Sequence, residues 1–283
     1  MIDFSDILLA SDYDRTLTGF DGKIPAANLE AIRFFMDHGG AFTVATGRSM
    51  PMFRNKLALV QVNAPVILFN GAAACDFATG ETELYQVMPP DAEEVAREVL
   101  RRWPGLRLEV QCFHGHYAFG RDGLRDAYLA RNEVPIRYVG WDEIEKPWMK
   151  LTFYAPFQAV GHAIPGTTDP ADERPFEEIA AMIAAERPGY IATRSMPRMI
   201  ELETVGTSKG AAARRLARRL GRPRLICAGD APNDLPMLRE ADEAYVPADC
   251  DRAMAEMGFE QAAPCDEGAL ASIIGRLTDE RSR

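Results

Sequence analysis

Short apolar runs alternate with amphipathic stretches towards the N-terminal end of the chain. These runs are residues 7–10, 41–45 and 66–69. Each run is apolar throughout and too short for a helix, which is typical of a buried parallel strand. Between the runs, helical periodicity predicts a helix that begins at Pro25 and ends at Gly39-Gly40, and another over residues 50–60. This strand–helix series predicts a doubly wound α/β sheet.

The pattern changes after Pro89-Pro90, which we interpret as a linker. Helical periodicity predicts helices over residues 93–103 and 176–185. The remaining strand patterns follow one another through short turns, which favours an antiparallel sheet and hence a separate α+β domain. The predicted strands are residues 106–113, 117–119 and 148–154, then a hairpin of 190–194 and 199–202 that turns through Pro197. The polar, proline-rich stretch 165–175 is predicted to be a loop.

The doubly wound pattern returns towards the C-terminal end. The predicted elements there are helices over residues 209–220, 234–240 and 268–277 and strands over residues 225–228 and 244–246. The simplest organisation is one α/β core, formed by residues 1–87 and 205–283. An inserted α+β domain of residues 88–204 interrupts this core.

Composition excludes several classes of protein. Of the 283 residues, 32 are Lys or Arg and 42 are Asp or Glu, so the formal net charge is −10. This acidic balance argues against binding to the nucleic-acid backbone or to anionic membranes, although a small anionic substrate still fits a local pocket. No apolar run reaches the length of a membrane span, and no basic segment of a signal peptide is present. We therefore expect a cytoplasmic protein.

Cysteine and histidine patterns give no metal or disulfide framework. The five cysteines are an odd number without a C-x-x-C pair, which favours buried free thiols in a reducing compartment. His114 and His116 could bind a metal ion if they shared one strand face. The intervening Gly115 favours a hairpin turn instead.

The residues that follow each apolar run are the candidates for chemistry, because ligands bind at the carboxyl ends of parallel strands. They share one predicted edge of the sheet. They are Asp12 and Asp14 after the first run, Thr46, Gly47 and Arg48 after the second, Asn70 after the third, Lys209 at a helix start, and Asp230, Asn233 and Asp234 after the late strand. For Arg48 alone, an exposed arginine and a substrate contact fit equally well.

Four carboxylates at this edge, those of Asp12, Asp14, Asp230 and Asp234, would repel one another without compensation. A hard divalent cation resolves the repulsion, and carboxylate oxygens select Mg²⁺. The hydroxyl, amide and ammonium groups nearby are suitable donors to a phosphate. Asp12 could then attack phosphorus, and Asp14 could move the proton between leaving group and water.

These segments resemble the four motifs of the haloacid dehalogenase (HAD) superfamily. The motifs are Asp12-Tyr-Asp14-Arg-Thr16-Leu, Thr46-Gly-Arg48 with Asn70-Gly-Ala, Lys209-Gly, and Gly229-Asp230-Ala-Pro-Asn233-Asp234. Their order, with a large insert between the second and third motifs, is similar to that of Cof-type phosphatases with a C2B cap. The resemblance implies a Rossmann-like core and a cap that chooses the substrate.

The resemblance also implies roles for single residues. Asp12 would be the nucleophile and a Mg²⁺ ligand, and Asp14 the acid/base with its backbone carbonyl on the metal. Asp230 would be the third ligand, supported by Asn233 and Asp234. Thr46 and Lys209 would hold the phosphate. The chain departs from the family at Arg15, where glycine is usual, and at residues 246–249, which replace a common Met-Gly-Asn-Ala.

The sequence therefore predicts a Mg²⁺-dependent hydrolase of a small phosphomonoester, with a sugar or polyol phosphate favoured. A phosphosugar mutase of the same architecture is one alternative, because an aspartyl-phosphate can pass to a sugar instead of water. A non-catalytic protein that binds a phosphorylated metabolite is another. The intact set of Asp12, Asp14, Lys209 and Asp230 argues against the second alternative. The sequence indicates no oligomeric state.

Overall fold

The computed structural model describes residues 2–119, 130, 134, 136–155, 173–196 and 198–282. The strands are β1 Ile7–Ser11, β2 Ala41–Val44, β3 Val66–Leu68, β4 Ala73–Cys75, β5 Thr82–Leu84, β6 Arg107–Cys112, β7 His116–Phe119, β8 Ile136–Tyr138, β9 Trp148–Tyr154, β10 Tyr190–Met196, β11 Met199–Thr204, β12 Arg224–Ala228, β13 Glu243–Pro247 and β14 Glu260–Ala262. The α-helices are α1 Ala26–Asp37, α2 Met50–Arg54, α3 Ala92–Arg102, α4 Arg174–Glu186, α5 Lys209–Arg219, α6 Leu235–Glu240, α7 Arg252–Ala255 and α8 Ala269–Arg281.

The chain divides into two compact units. The first unit contains Met1–Arg48, Lys56–Tyr85 and Ser208–Arg283, and the second contains Ser49–Asn55 and Gln86–Thr207. The unit boundary near the second motif therefore falls directly after Arg48. In the part of the chain that the structure describes, no helix combines the length and apolar character that crossing a bilayer requires.

A five-stranded parallel sheet in the order β14-β13-β12-β1-β2 forms the centre of the first unit. Every residue of β1 is buried, as expected for a central strand that is covered on both faces. Leu8 and Ala10 pack in one cluster with Ala212 and Leu216 of α5, and α1 packs against α8. The predicted α/β class with a parallel sheet core is confirmed.

The third predicted strand does not extend this sheet as a full member. Residues of β3 form one parallel bridge to the sheet, between Ala45 and Ile67, but β3 pairs along its length with β4, and β4 with β5, in antiparallel register. The chain reverses here because Phe69, Asn70 and Gly71 all have positive φ, at 50°, 55° and 103°. The sequence analysis did not identify β4 or β5.

The predicted helix over residues 50–60 is much shorter in the structure, because α2 ends at Arg54. Its buried residues stop at Phe53, and Asn55 forms the C-cap. The apolar residues beyond that point do not continue a buried helical face, since Leu59 is 50% exposed. Burial against the rest of the protein, rather than apolar content alone, therefore sets the length of this helix.

A six-stranded sheet in the order β10-β11-β9-β6-β7-β8 forms the centre of the second unit. Its pairings are antiparallel except for the parallel pair β7–β8. Helices α3 and α4 pack on one face of this sheet, where Val95, Val99, Phe176 and Ile179 join the apolar residues of the strands. The antiparallel α+β character that the sequence predicts for this region is present.

Three local predictions in the second unit need comment. The loop predicted over residues 165–175 lies outside the described residues up to position 172, but Arg174 and Pro175 belong to α4, since proline is accepted in a first helical turn. Pro197, the predicted hairpin turn, also lies outside the described residues. His116 begins β7 instead of belonging to the turn.

Candidate active site

The carboxyl ends of two neighbouring strands bring the key aspartates together. Strands β1 and β12 pair in parallel, with Ser11 opposite Ala228, so that the chain leaves both strands at the same level of the sheet. The backbone N–H of Asp12 donates to the carbonyl of Ala228 at 2.8 Å. Asp12 and Asp230 therefore emerge side by side although they are far apart in the sequence.

Three buried carboxylates form the centre of this site. One carboxylate oxygen from each of Asp12, Asp230 and Asp234 lies within 4.8 Å of the others. The ammonium group of Lys209, which is 1% exposed, donates to Oδ1 of Asp12 at 2.5 Å and to Oδ1 of Asp234 at 2.6 Å. The structure thus brings together four of the residues that the sequence analysis selected.

Burial and mutual repulsion perturb the ionisation of these groups. Burial and the charge of Asp234 raise the pKa of Asp12 well above its usual value. The same two causes raise the pKa of Asp230 to about 6. Burial by itself would lower the pKa of Lys209, but the carboxylates of Asp12 and Asp234 outweigh it and raise that pKa. Lys209 therefore stays protonated, and its single positive charge does not balance three ionised carboxylates.

The donor set of this cluster fits a divalent cation. Three carboxylates face a single ammonium group, so the cluster carries an excess of negative charge when all three are ionised. Carboxylate oxygens are the preferred ligands of hard divalent cations. The carboxylates of Asp12, Asp230 and Asp234 are therefore the groups that could hold such a cation.

Short local turns hold the aspartates in place. A tight turn over Tyr13–Leu17 follows β1, and the hydroxyl of Thr16 donates to Oδ1 of Asp230 at 3.2 Å. The backbone holds the side chain of Asp234, because its Oδ2 accepts from the N–H groups of Asp230 and Ala231 at 3.1 and 3.2 Å. A Cβ at Gly229 would lie 2.5 Å from Cβ of Asp234, so only glycine fits at that position.

Lys209 is positioned by the start of α5. Ser208 is the N-cap, and its side chain accepts from the N–H of Ala211. The carbonyl oxygen of Ser208 lies so close to Gly71 that a Cβ there would be 2.2 Å away. The Asn70-Gly71 turn thus permits the close backbone approach that places Lys209 beside the strand ends.

Asp14 differs from the other three candidate carboxylates, because its side chain is not one of the three buried ones that converge. Its predicted roles stay predictions. Its side chain is 54% exposed and forms a bidentate ion pair with Arg48. Nε and Nη2 of Arg48 donate to Oδ2 and Oδ1 of Asp14 at 3.0 and 2.7 Å. The guanidinium also lies 5.5 Å from the ring of Tyr13. A carboxylate at the protein surface is attracted to the nearest cation, and here Arg48 supplies it.

The remaining predicted residues lie in three loops. Thr46, Gly47 and Arg48 follow β2, Asn70 follows β3, and Asn233 follows β12. The N–H of Arg48 donates to the hydroxyl of Thr46 at 3.2 Å, and the N–H of Asn70 donates to the carbonyl of Thr46 at 3.0 Å. Gly47 packs closely on Asn70, whose Oδ1 would lie 2.7 Å from a Cβ at position 47. Asn233 is exposed and lies outside the three-carboxylate cluster.

The sequence analysis missed a second group of polar residues, on the face of the six-stranded sheet opposite α3 and α4. They share strand positions that alternate with the apolar core, and all are buried. They are Glu109, Gln111, His116, Lys150, Thr152, Glu201 and Glu203. We call them the polar face. The alternation of polar and apolar residues along β6, β9 and β11 was the signal that could have identified them.

Close contacts join charged and ionisable groups of the polar face. Nζ of Lys150 lies 2.7 Å from Oε1 of Glu201. His116 contacts Oε1 of Glu109 through Nδ1 and Oγ of Ser49 through Nε2, both at 2.7 Å. Burial would lower the pKa of Lys150, but Glu201 and Glu203 raise it. Carboxylate, amide and hydroxyl groups on one surface are suited to binding hydroxyl groups of a ligand.

Comparisons with known proteins agree with this geometry. A family model described as haloacid dehalogenase-like hydrolase matches residues 9–256, and the chain belongs to this family. The protein named "Putative phosphatase M6_Spy0533" of Streptococcus pyogenes serotype M6 is 26% identical over 241 residues, which cover 82% of this chain and 83% of that protein. The match confirms the resemblance stated above and the expectation of an enzyme, a phosphatase of this superfamily.

Solved structures with the same fold are similar over almost the whole chain. A haloacid dehalogenase-like hydrolase from Bacteroides thetaiotaomicron has a TM-score of 0.79 and 19% identity, covering 95% of this chain and 98% of that one. The HAD subclass IIB sugar phosphatase BT4131 has a TM-score of 0.76 and 20% identity, with coverage of 95% and 98%. At these identities, the likeness establishes the fold.

Proposed function

We propose that this protein is a Mg²⁺-dependent phosphomonoester hydrolase that works through an aspartyl-phosphate on Asp12. The observation that carries the proposal is the buried cluster of Asp12, Lys209, Asp230 and Asp234 at the carboxyl ends of β1 and β12. A set of perturbed titratable groups at that edge of an α/β sheet is the arrangement expected of a catalytic centre.

The first step assigns the nucleophile. A carboxylate oxygen of Asp12 attacks phosphorus, a new O–P bond forms, and the P–O bond to the leaving alcohol breaks. Lys209, held against Asp12 at 2.5 Å, keeps that carboxylate oriented and offers positive charge to the phosphoryl oxygens. When bound, Mg²⁺ adds charge neutralisation on the transferring group. We assign Asp12, Asp230 and the backbone carbonyl of Asp14 as its ligands, with Asn233 and Asp234 in support.

Asp14 carries the proton in this proposal. Its carboxyl group gives a proton to the leaving oxygen and later takes one from the water that attacks the aspartyl-phosphate, which frees phosphate and restores Asp12. The exposed position of Asp14 supports this role, because its carboxyl group is accessible. Its ion pair with Arg48 favours the ionised form, which is the form that takes a proton from the attacking water. Thr46, Gly47, Arg48 and Asn70, in the adjacent loops, are assigned to the phosphate.

We further propose that residues 1–87 and 205–283 form the catalytic core and that residues 88–204 form a cap that selects the substrate. The polar face supports a substrate whose organic part bears hydroxyl groups, such as a sugar or polyol phosphate. The description of BT4131 as a subclass IIB sugar phosphatase and of the streptococcal relative as a phosphatase supports the same class. A cytoplasmic location and the absence of a nucleic-acid partner stay predictions of the sequence.

The test is phosphate release from an aryl phosphate, and then from a panel of phosphosugars and phosphopolyols, with Mg²⁺ or with a chelator. Asp12→Asn should abolish release, while Asp21→Asn, at an exposed carboxylate that pairs with Lys23, should leave it unchanged. Retained turnover in Asp12→Asn would refute the nucleophile. Product analysis distinguishes hydrolysis from transfer to a second sugar hydroxyl, the mutase outcome, and the absence of any turnover would indicate a binding protein.

A further inference from the structure

Arg15 has a backbone conformation that is rare for a residue with a long side chain. Its φ and ψ are 60° and 13°, in the left-handed region, inside the turn over Tyr13–Leu17. Residues other than glycine and asparagine are disfavoured there. A conformation of this kind is retained where the surrounding contacts hold it, and the contacts of Arg15 suggest what it does.

The guanidinium of Arg15 faces a predicted metal ligand. Its Nε lies 3.7 Å from Oδ2 of Asp230, while Oδ1 of the same carboxylate accepts from Thr16. The Asp230 side chain is 4% exposed, whereas that of Arg15 is 47% exposed. The ring of Phe20, itself largely exposed, lies 4.9 Å from the guanidinium carbon. Arg15 thus approaches the carboxylate cluster from solvent, with an aromatic ring supporting it.

We propose that Arg15 is a built-in counter-ion of Asp230 that competes with the divalent cation, so that it stabilises the metal-free protein and weakens the affinity for metal. This inference rests on the proposed function, because it assumes that Asp230 is a ligand of the metal. When no cation is bound, the guanidinium partly neutralises the carboxylate of Asp230. The same positive charge repels a cation that binds there.

The geometry favours competition over permanent support of the metal. A separation of 3.7 Å is longer than a hydrogen bond, so the interaction is electrostatic and has no fixed direction. Because the side chain is half exposed and packs on Phe20, the guanidinium can turn towards solvent and remain hydrated there. A unit charge several ångströms from a divalent cation changes its affinity by about tenfold even with water-like screening.

The test measures Mg²⁺ affinity directly, by titration calorimetry without substrate. Arg15→Gln removes the charge and keeps the backbone strain, and we expect it to bind Mg²⁺ about tenfold more tightly than the natural protein. Arg15→Gly removes both the charge and the strain, and should match Arg15→Gln. Arg15→Lys keeps the charge, and should stay close to the natural protein. Arg252→Gln, at a largely exposed ion pair with Glu256, controls for net charge alone.

Thermal unfolding in a chelator supplies a second readout. Arg15→Gln should unfold at a lower temperature than the natural protein without metal, and should gain more from added Mg²⁺, because metal binding adds stability according to its affinity. Phe20→Ala should shift the affinity in the same direction by a smaller factor. If Arg15 bound the substrate instead, Arg15→Gln would raise KM and leave the Mg²⁺ affinity unchanged, which would overturn the inference.

The two levels of the proposal fail in different ways. If the natural protein binds no divalent cation in the titration, the proposed metal site is refuted, and the inference with it. If the natural protein binds Mg²⁺ and the Arg15 variants bind it equally well, the competition is refuted while the proposed function stands.

Discussion

The two units of this protein place their buried polar groups in different ways. In the first unit the polar groups lie beyond the ends of parallel strands, where Asp12 and Asp230 follow β1 and β12. In the second unit they lie along one face of an antiparallel sheet, as Glu109 and Lys150 do. A parallel sheet is covered by apolar helix faces on both sides, so its polar groups collect at the strand ends, whereas an antiparallel sheet with its apolar core on one face can carry polar residues along the other.

The arrangement of charges in the two groups also differs. Lys209 in the first unit contacts two carboxylates and leaves the three-carboxylate cluster with excess negative charge. In the second unit Lys150 pairs with Glu201, and His116 with Glu109. What distinguishes the first group is convergence, because one oxygen from each of its three carboxylates lies within 4.8 Å of the others. Glu109 and Glu201 in the second unit each have a separate partner. The following predictions test that difference.

The largest effect is expected from Lys209→Ala. Removing this buried ammonium leaves Asp12 and Asp234 without their shared partner, which should lower the free energy of unfolding by about 5 kcal/mol. Urea unfolding in a chelator measures this loss. Because added Mg²⁺ offers replacement charge to the same carboxylates, the loss should shrink in its presence, and an equal loss with and without Mg²⁺ would contradict the model.

Lys150→Met tests the corresponding group in the second unit. Leaving Glu201 buried without this cation should lower the free energy of unfolding by about 3 kcal/mol. Here Mg²⁺ should give no specific rescue, so that the stabilisation by Mg²⁺ should equal that of the natural protein. A Mg²⁺-dependent recovery of Lys150→Met would show that the two groups do not differ in the way we describe.

Metal removal should act through the first unit. At a Mg²⁺ concentration about 100 times its dissociation constant, binding should add about 2.7 kcal/mol to the free energy of unfolding. Thermal unfolding with Mg²⁺ and with a chelator measures this difference. Asp230→Asn should abolish most of it, and His116→Asn, in the polar face, should retain it.

The smallest effect is expected from Arg48→Gln. Asp14 is 54% exposed, and a pair open to solvent contributes only about 0–1 kcal/mol to stability. Turnover should fall although the free energy of unfolding changes little, because Arg48 orients the carboxylate that we assign to proton transfer. Urea unfolding and aryl phosphate hydrolysis, compared on the same variant, separate the two effects. A loss of stability much larger than this would show that Arg48 has mainly a structural role.

The local pattern of the chain predicts most of the first unit correctly. Runs of apolar residues at 7–10 and 225–228 identify β1 and β12, because a strand buried on both faces needs apolar side chains throughout. The gathering of Asp12 and Asp230 follows from the parallel register of those two strands. The short helix α2 and the reversal after β3 were not predicted, since they depend on which apolar residues find partners and on the turn at Asn70.

Some features required contacts between distant segments. The pair of Asp14 and Arg48 joins residues 34 positions apart, and nothing in the motifs indicates that the side chain of Asp14 would pair with that arginine. The polar face draws on strands that lie far apart in the chain, so that its alternation becomes meaningful only after β6, β9 and β11 are paired.

The sequence by itself therefore determined the class of fold, the superfamily and the aspartates that meet at the strand ends, because apolar periodicity and the short motifs that follow the apolar runs are local properties. Only the tertiary structure decided the partner of each charge. Asp14 pairs with Arg48, and Asp230 faces Arg15. Electrostatic partners are chosen by distance and burial in three dimensions, which residue order along the chain does not specify.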